Sequence, residues 1–202
     1  MAARKKATAR KTTPARKSAP KGKDAIALLK ADHTLVQGLF DQFEKARGND
    51  RKGALAQKIC QELRVHTRIE EEILYPAARE VLRDEDLLDE AEVEHAGAKD
   101  LIAQIESSRP GAELYDAKVT VLGEYIKHHV KEEHEEMFPK LKKSKLDLKE
   151  IGARLEARKT QLQKGGATPR ARSGGLTGSK RGAKPQSEGF FAGLARDVGL
   201  KS

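Results

Sequence analysis

Residues 125–139 read YIKHHVKEEHEEMFP, and residues 65–76 read VHTRIEEEILYP. In each, a His is followed four residues later by a Glu and six residues after that by a Pro. The trios are His66, Glu70 and Pro76, and His129, Glu133 and Pro139. All three positions shift by 63 residues, so the chain contains an internal repeat. Upstream of each stands one more His: His33 in ADHTLVQGL and His95 in VEHAGAKDL, 62 residues apart. A helix puts positions i and i+4 on one face, so each His and Glu pair reaches into a common space.

The apolar pattern says which face that is. Around the later motif the stripe runs Leu122, Ile126, His129, Glu133 and Met137, and around the earlier one Ile59, Leu63, His66, Glu70 and Ile73. His33 is flanked by Ile26, Leu29, Val36, Phe40 and Phe43, and His95 by Leu88, Ala91, Ala98, Ile102 and Ile105. All four imidazoles therefore take core positions on their helices. A lone His on an apolar face is ordinarily a core residue satisfied by a neighbour. Four of them, two with Glu at i+4, argue for something else, because two uncompensated buried carboxylates would cost several kcal/mol each. Metal ions remove that penalty. Bundle cores that hold two irons use inward carboxylates and His from facing helices, and this donor mixture suits iron, manganese or zinc.

The duplicated His, then His-x-x-x-Glu ending in an aromatic-Pro, resembles the hemerythrin-like domains, also called HHE cation-binding domains, over roughly Asp24 to Lys142. The resemblance implies an all-α, up-down-up-down antiparallel four-helix bundle around a non-haem di-iron centre, with two iron ions as cofactor and zinc or manganese behind them. Carried over residue by residue, it implies that His33 and His66 hold one iron and His95 and His129 the other, with Glu70 and Glu133 bridging them. Oxygen-carrying hemerythrins have a fifth His on the third helix, four residues from the one matching His95; here those places are Ala91 and Lys99. Either both irons keep an open or water-filled position or another side chain moves in, and Glu71, Glu94 and His134 are the nearest candidates.

The function expected from this is a di-iron protein that binds or senses dioxygen, peroxide, nitric oxide or iron by exchange at an open position, rather than a classical enzyme. A redox enzyme of peroxidase or oxidase type on the same centre is one alternative. A nucleic-acid-associated protein with a regulatory metal domain is another. No nucleophile elbow, phosphate loop or Cys-x-x-Cys pair supports a hydrolase, a kinase or a zinc ribbon.

The rest of the chain frames the bundle. Helix one is expected from Asp24, as N-cap, to Arg47; helix two from Arg51 to Leu82; helix three from Asp86 to Ser107; helix four from Ala112 to Leu141. Pro76 and Pro139 lie inside helical patterns, so a kink or change of direction is expected just past each motif. His128 and His134 lie about 100° around the helix from the neighbouring candidate ligands and read as flanking residues. Cys60 is the only cysteine and reads as packing in a reducing compartment. Residues 143–163 carry Leu148, Ile151, Leu155 and Leu162 at helical spacing, an additional amphipathic helix that either packs on the bundle or projects from it.

Charge is segregated. Residues 1–23 hold nine Lys or Arg and no acid, and residues 164–202 hold eight against Glu188 and Asp197. With 40 basic and 31 acidic residues in all, the body from 24 to 163 keeps 23 against 29, or −6, between ends of +9 and +6. Nothing in the ends can build a core, so both read as disordered basic tails with affinity for nucleic acid or another polyanion. The second is Gly- and Ser-rich and closes on FFAGLARDVGL. Neither a secretory signal nor a transmembrane segment is expected. A cytoplasmic location follows, with nucleoid or chromatin association through the tails; oligomeric state is left open.

Overall fold

A computed structural model describes residues 22–82 and 85–165. Helix α1 (Ala25–Lys45) begins where expected: the Asp24 side chain accepts the Ala27 amide hydrogen at 2.8 Å, filling one of the donors a helix start leaves open. It ends two residues before the expected Arg47, and Gly48, at φ 81°, turns the chain into α2 (Asn49–Ile69). A π-helical turn (Glu70–Leu74) and a short α3 (Tyr75–Arg79) follow without a break. Helix α4 (Glu85–Ser107) opens on Glu85 and Asp86, acids at the positive end of its dipole. Then α5 (Tyr115–Glu132), a second π-helical turn (Glu133–Met137) and α6 (Phe138–Lys143) form another continuous run. The α5 start falls three residues after the expected Ala112, because Gly111 and the exposed Leu114 both adopt left-handed backbone and keep the reversal open.

Each proline follows a widened turn. Each sits in the first turn of a new α segment, two residues past the end of the π turn. A proline ring collides with the carbonyl four residues back in a regular helix. Here the preceding turn widens instead: the Tyr75 amide bonds Glu70 and the Phe138 amide bonds Glu133, five residues back in each case. The added residue shifts the inward face beyond the motif. Leu74, Tyr75 and Ala78 are buried in the first run, and Met137, Phe138 and Leu141 in the second, while Ile73, expected in the core stripe, is only half-buried.

Four runs make the bundle: α1 packs on α2 and α5, and α4 packs on both α2 and α5, closing a ring. Its interior has two apolar clusters. One holds Leu29, Ile69, Leu74, Tyr75, Leu88, Met137 and Phe138, the other Val36, Phe40, Ile59, Leu63, Ala98, Ile102 and Leu122. Along every helix the candidate ligands fall between the two clusters. Cys60 lies in the second, with its thiol pushed up to about 12 by burial, an unreactive packing group.

Helix α7 (Leu148–Gly165) packs on α1 and α2, which answers the question its spacing left open. Ile151 and Leu155 join the first apolar cluster. Between them Gly152 meets the backbone at the start of α1, where a Cβ would stand 2.5 Å from the Lys23 carbonyl oxygen. Only glycine permits that approach. Helix α7 runs two residues past its expected end at 163, and apart from those two and residues 22 and 23 the expected tails lie outside the described residues.

Candidate metal centre

Six polar side chains occupy the layer between the clusters, all nearly closed to solvent: His33, His66, Glu70, His95, His129 and Glu133. Those are the six residues singled out from the repeat, and four helical runs bring them together. His33, His66, Glu70 and Glu133 each offer an atom within a 4.8 Å group, and so do Glu70, His95 and His129. Glu70 belongs to both groups.

The imidazoles share one orientation. His33 Nε2 and His66 Nε2 face each other at 2.9 Å, and His95 Nε2 and His129 Nε2 at 3.2 Å. Glu70 Oε2 stands 3.2 Å from His66 Nε2 and 3.5 Å from His95 Nε2. Glu133 Oε2 stands 3.2 Å from His33 Nε2 and 3.9 Å from His129 Nε2. Each carboxylate thus spans both His pairs.

Three of the four outward Nδ1 atoms have a hydrogen-bond partner behind them. His95 Nδ1 lies 2.9 Å from Glu71, His129 Nδ1 2.7 Å from Glu94, and His33 Nδ1 3.0 Å from His134 Nε2. His66 Nδ1 faces Asp32 Oδ2 at 3.7 Å. Glu71, Glu94 and His134, expected as possible extra ligands, all stand on this outer side. In that place a carboxylate taking the Nδ1 hydrogen, as Glu71 and Glu94 do, fixes the tautomer and turns Nε2 inward. Asp32 was missed from the sequence, although it precedes His33 as Glu94 precedes His95. Its carboxyl is opposed by burial but held below the usual range by His66 and by Lys159 of α7, which ion-pairs with it.

Tyr75 was also missed. Its hydroxyl lies 3.2 Å from His95 Nε2, on the inward side. Burial and the nearby carboxylates, Glu70 first, raise its pKa well above the usual range, so the phenol keeps its proton in the metal-free protein and can donate to that nitrogen.

The electrostatics of this layer call for cations. All four carboxylate oxygens of Glu70 and Glu133 are buried with no hydrogen-bond donor. Burial first, then the Glu133 charge, pushes the Glu70 carboxyl well above its usual range. Burial holds His66 down to about 4, and also lowers His95. Burial opposes the charged form of His129 too, but its bond to Glu94 and the Glu133 charge raise it above its usual value, so this imidazole holds a proton that a metal ion would replace. Inward Nε2 lone pairs beside orphaned carboxylate oxygens are the donor set of a metal site, and they fit first-row divalent or trivalent ions.

Comparison with known proteins agrees with this chemistry. The family model described as the hemerythrin HHE cation binding domain matches residues 24–141. The crystal structure of a hemerythrin HHE cation binding domain-containing protein from Mycobacterium kansasii is similar, with a TM-score of 0.62 and 25% identity, covering 70% of this chain and 88% of that one. A protein described as a DNA nickase, from Nostoc sp. (strain PCC 7120 / SAG 25.82 / UTEX 2576), is 27% identical over 111 residues, 55% of this chain. The chain spans 31% of that relative's length.

Proposed function

The chain belongs to the hemerythrin HHE cation-binding family, and from that premise we propose that it holds two iron ions and uses them to bind or sense dioxygen, peroxide, nitric oxide or iron itself. His33 and His66 would hold one ion, His95 and His129 the other, and Glu70 and Glu133 would reach both. When bound, such a pair supplies exchangeable positions and a reversible one-electron or two-electron change. The observation that carries the reading is the set of four orphaned carboxylate oxygens among inward-facing Nε2 atoms.

The chain's own residues do the rest. Glu71, Glu94 and His134 orient the imidazoles of His95, His129 and His33, and Asp32 stands 3.7 Å behind His66. The two apolar clusters exclude water from above and below, and low local dielectric strengthens every charge interaction between them. Tyr75 offers a single hydroxyl beside His95, positioned to donate a hydrogen bond to a small ligand.

Reconstitution with Fe²⁺ under nitrogen, then exposure to air, tests the reading. The expected result is about two irons per chain, as in other bundle di-iron sites, with near-ultraviolet absorption from oxo-bridged ferric iron. A defined stoichiometry of one or none would overturn it, and tightly held zinc alone would mark a structural site.

A second reading, association with nucleic acid, rests on the +9 and +6 ends and on the DNA nickase likeness. An acidic bundle repels DNA, so the contact would run through the ends. Deleting residues 1–23 should leave metal content alone and weaken DNA binding at low salt. For every phosphate no longer neutralised, the plot of log affinity against log salt flattens by about 0.9. Unchanged affinity and slope would remove the nucleic-acid role from this segment.

A further inference from the structure

Apart from the six buried residues, Glu94, His128 and Glu132 also bring three metal-competent atoms within 4.8 Å of one another. His128 Nε2 lies 3.1 Å from Glu132 Oε1 and 3.7 Å from Glu94 Oε1. An ordinary i,i+4 pair on a solvated helix uses one carboxylate and one base. Here two carboxylates from different helices, α4 and α5, converge on one nitrogen, a mixed oxygen and nitrogen donor set that a divalent cation would bridge across the two helices.

Glu94 connects this trio to the centre. While Oε1 faces His128, its Oε2 takes His129 Nδ1 at 2.7 Å. One carboxylate thus touches the exposed trio and a buried candidate ligand at once. Exposure runs in the same direction: the side chain of His128 is 64% exposed, Glu132 31%, Glu94 15% and His129 3%.

The repeat shows that this is particular to one half. The places matching His128 and Glu132, 63 residues earlier, are Val65 and Ile69, both buried. Val65 borders the groove between α2 and α7. Where α7 covers the bundle, the equivalent positions are apolar; on the side that no described residue beyond the bundle covers, they carry metal donors.

The geometry points to a surface site for a divalent first-row cation such as Mn²⁺ or Fe²⁺ at Glu94, His128 and Glu132, which stages the ion for the buried centre behind Glu94. Two carboxylates and one imidazole suit these ions, with water filling the remaining positions. The destination rests on the function proposed above; the surface site does not.

The test uses the metal-free full-length chain, Mn²⁺ counted by paramagnetic resonance, and the double variant His128→Ala/Glu132→Gln, which leaves Glu94 and the six buried residues in place. The wild-type chain is expected to bind one weak ion beyond its tight complement. The variant is expected to lose that ion, keep the tight ones, and take up Fe²⁺ several-fold more slowly. A wild-type chain with no weak ion, or a variant that retains it, overturns the surface site. Loss of the weak ion with unchanged Fe²⁺ uptake overturns the staging role alone. A weak ion that depends on His128 in a chain without tight ions would sink the di-iron reading and leave the surface site standing.

Discussion

Tyr75 and Phe138 hold matching places in the two halves, 63 residues apart and each one residue before a proline, yet only Tyr75 brings an oxygen to the centre, 3.2 Å from His95 Nε2. Phe138 stacks parallel to His33 instead, with ring centroids 6.1 Å apart. The two His pairs therefore sit in different surroundings. Tyr75→Phe should cost the metal-free protein about 1 kcal/mol, the worth of one buried hydrogen bond. In chelator competition, one of its two ions should leave sooner than the other. Identical release of both ions in wild type and variant would assign the hydroxyl to packing alone.

Replacing His66, Glu70, His129 or Glu133 with Ala should remove metal, because each loss leaves an ion short of a donor. Melting temperature in the presence of iron should fall with it, since metal bound only to the native state adds to folding free energy. His128→Ala should keep the tight complement. Loss of tightly bound metal from His128→Ala but not from His129→Ala would show that the proposed ligand set is wrong on α5.

Metal affinity should rise with pH. Burial and the Glu133 charge hold the Glu70 carboxyl well above the usual range, so in the metal-free fold it keeps a proton that a cation must displace. Loading then releases acid, by about one proton and about tenfold in affinity per pH unit. Proton release in weakly buffered solution, with chelator competition across pH, measures both.

The metal-free fold should lose stability in acid through His66. Its pKa falls from 6.5 to about 4 by burial, so between those values the unfolded chain takes up a proton that the folded chain refuses. Glu70 acts in the opposite sense: its raised pKa favours the fold below the ordinary carboxylate range, and that contribution is lost as pH rises. A bell-shaped profile of melting temperature against pH is expected without metal, flattened at its alkaline side when metal is bound.

Helix α7 should report on the centre. Lys159→Ala leaves the Asp32 carboxylate without its cation, a loss of about 2 kcal/mol for a charge-assisted bond in a part-buried pair. Because Asp32 faces His66, metal should also be held less tightly. Arg158→Ala, which breaks an exposed pair with Glu72, should leave metal affinity unchanged.

The six inward residues were legible because His and Glu in an apolar stripe break a pattern that would otherwise be continuous, and they break it twice at one spacing. Tyr75 was not, since an aromatic at a core position looks like core. Asp32 and Glu94 were hard to assign because they approach a His on another helix, and no spacing within one helix carries that information. Ile73 was misplaced for a related reason: a regular α period was carried through Glu70–Leu74, where the backbone winds five residues between bonded groups.

That wider winding also bears on how the chain arose. From Glu70 the inward positions run 70, 74, 75, 78, one residue more than the 0, 3, 4, 7 of a regular helix, and from Glu133 they run 133, 137, 138, 141. Each half thus contains a single inserted residue at the same point, directly after the carboxylate and before the proline. Two separate insertions at one matching point are less economical than one insertion in an ancestral half-length unit that was then copied. On that account each half carries the device that re-aims its own apolar residues past the ligand layer, while the layer itself takes its donors from both halves.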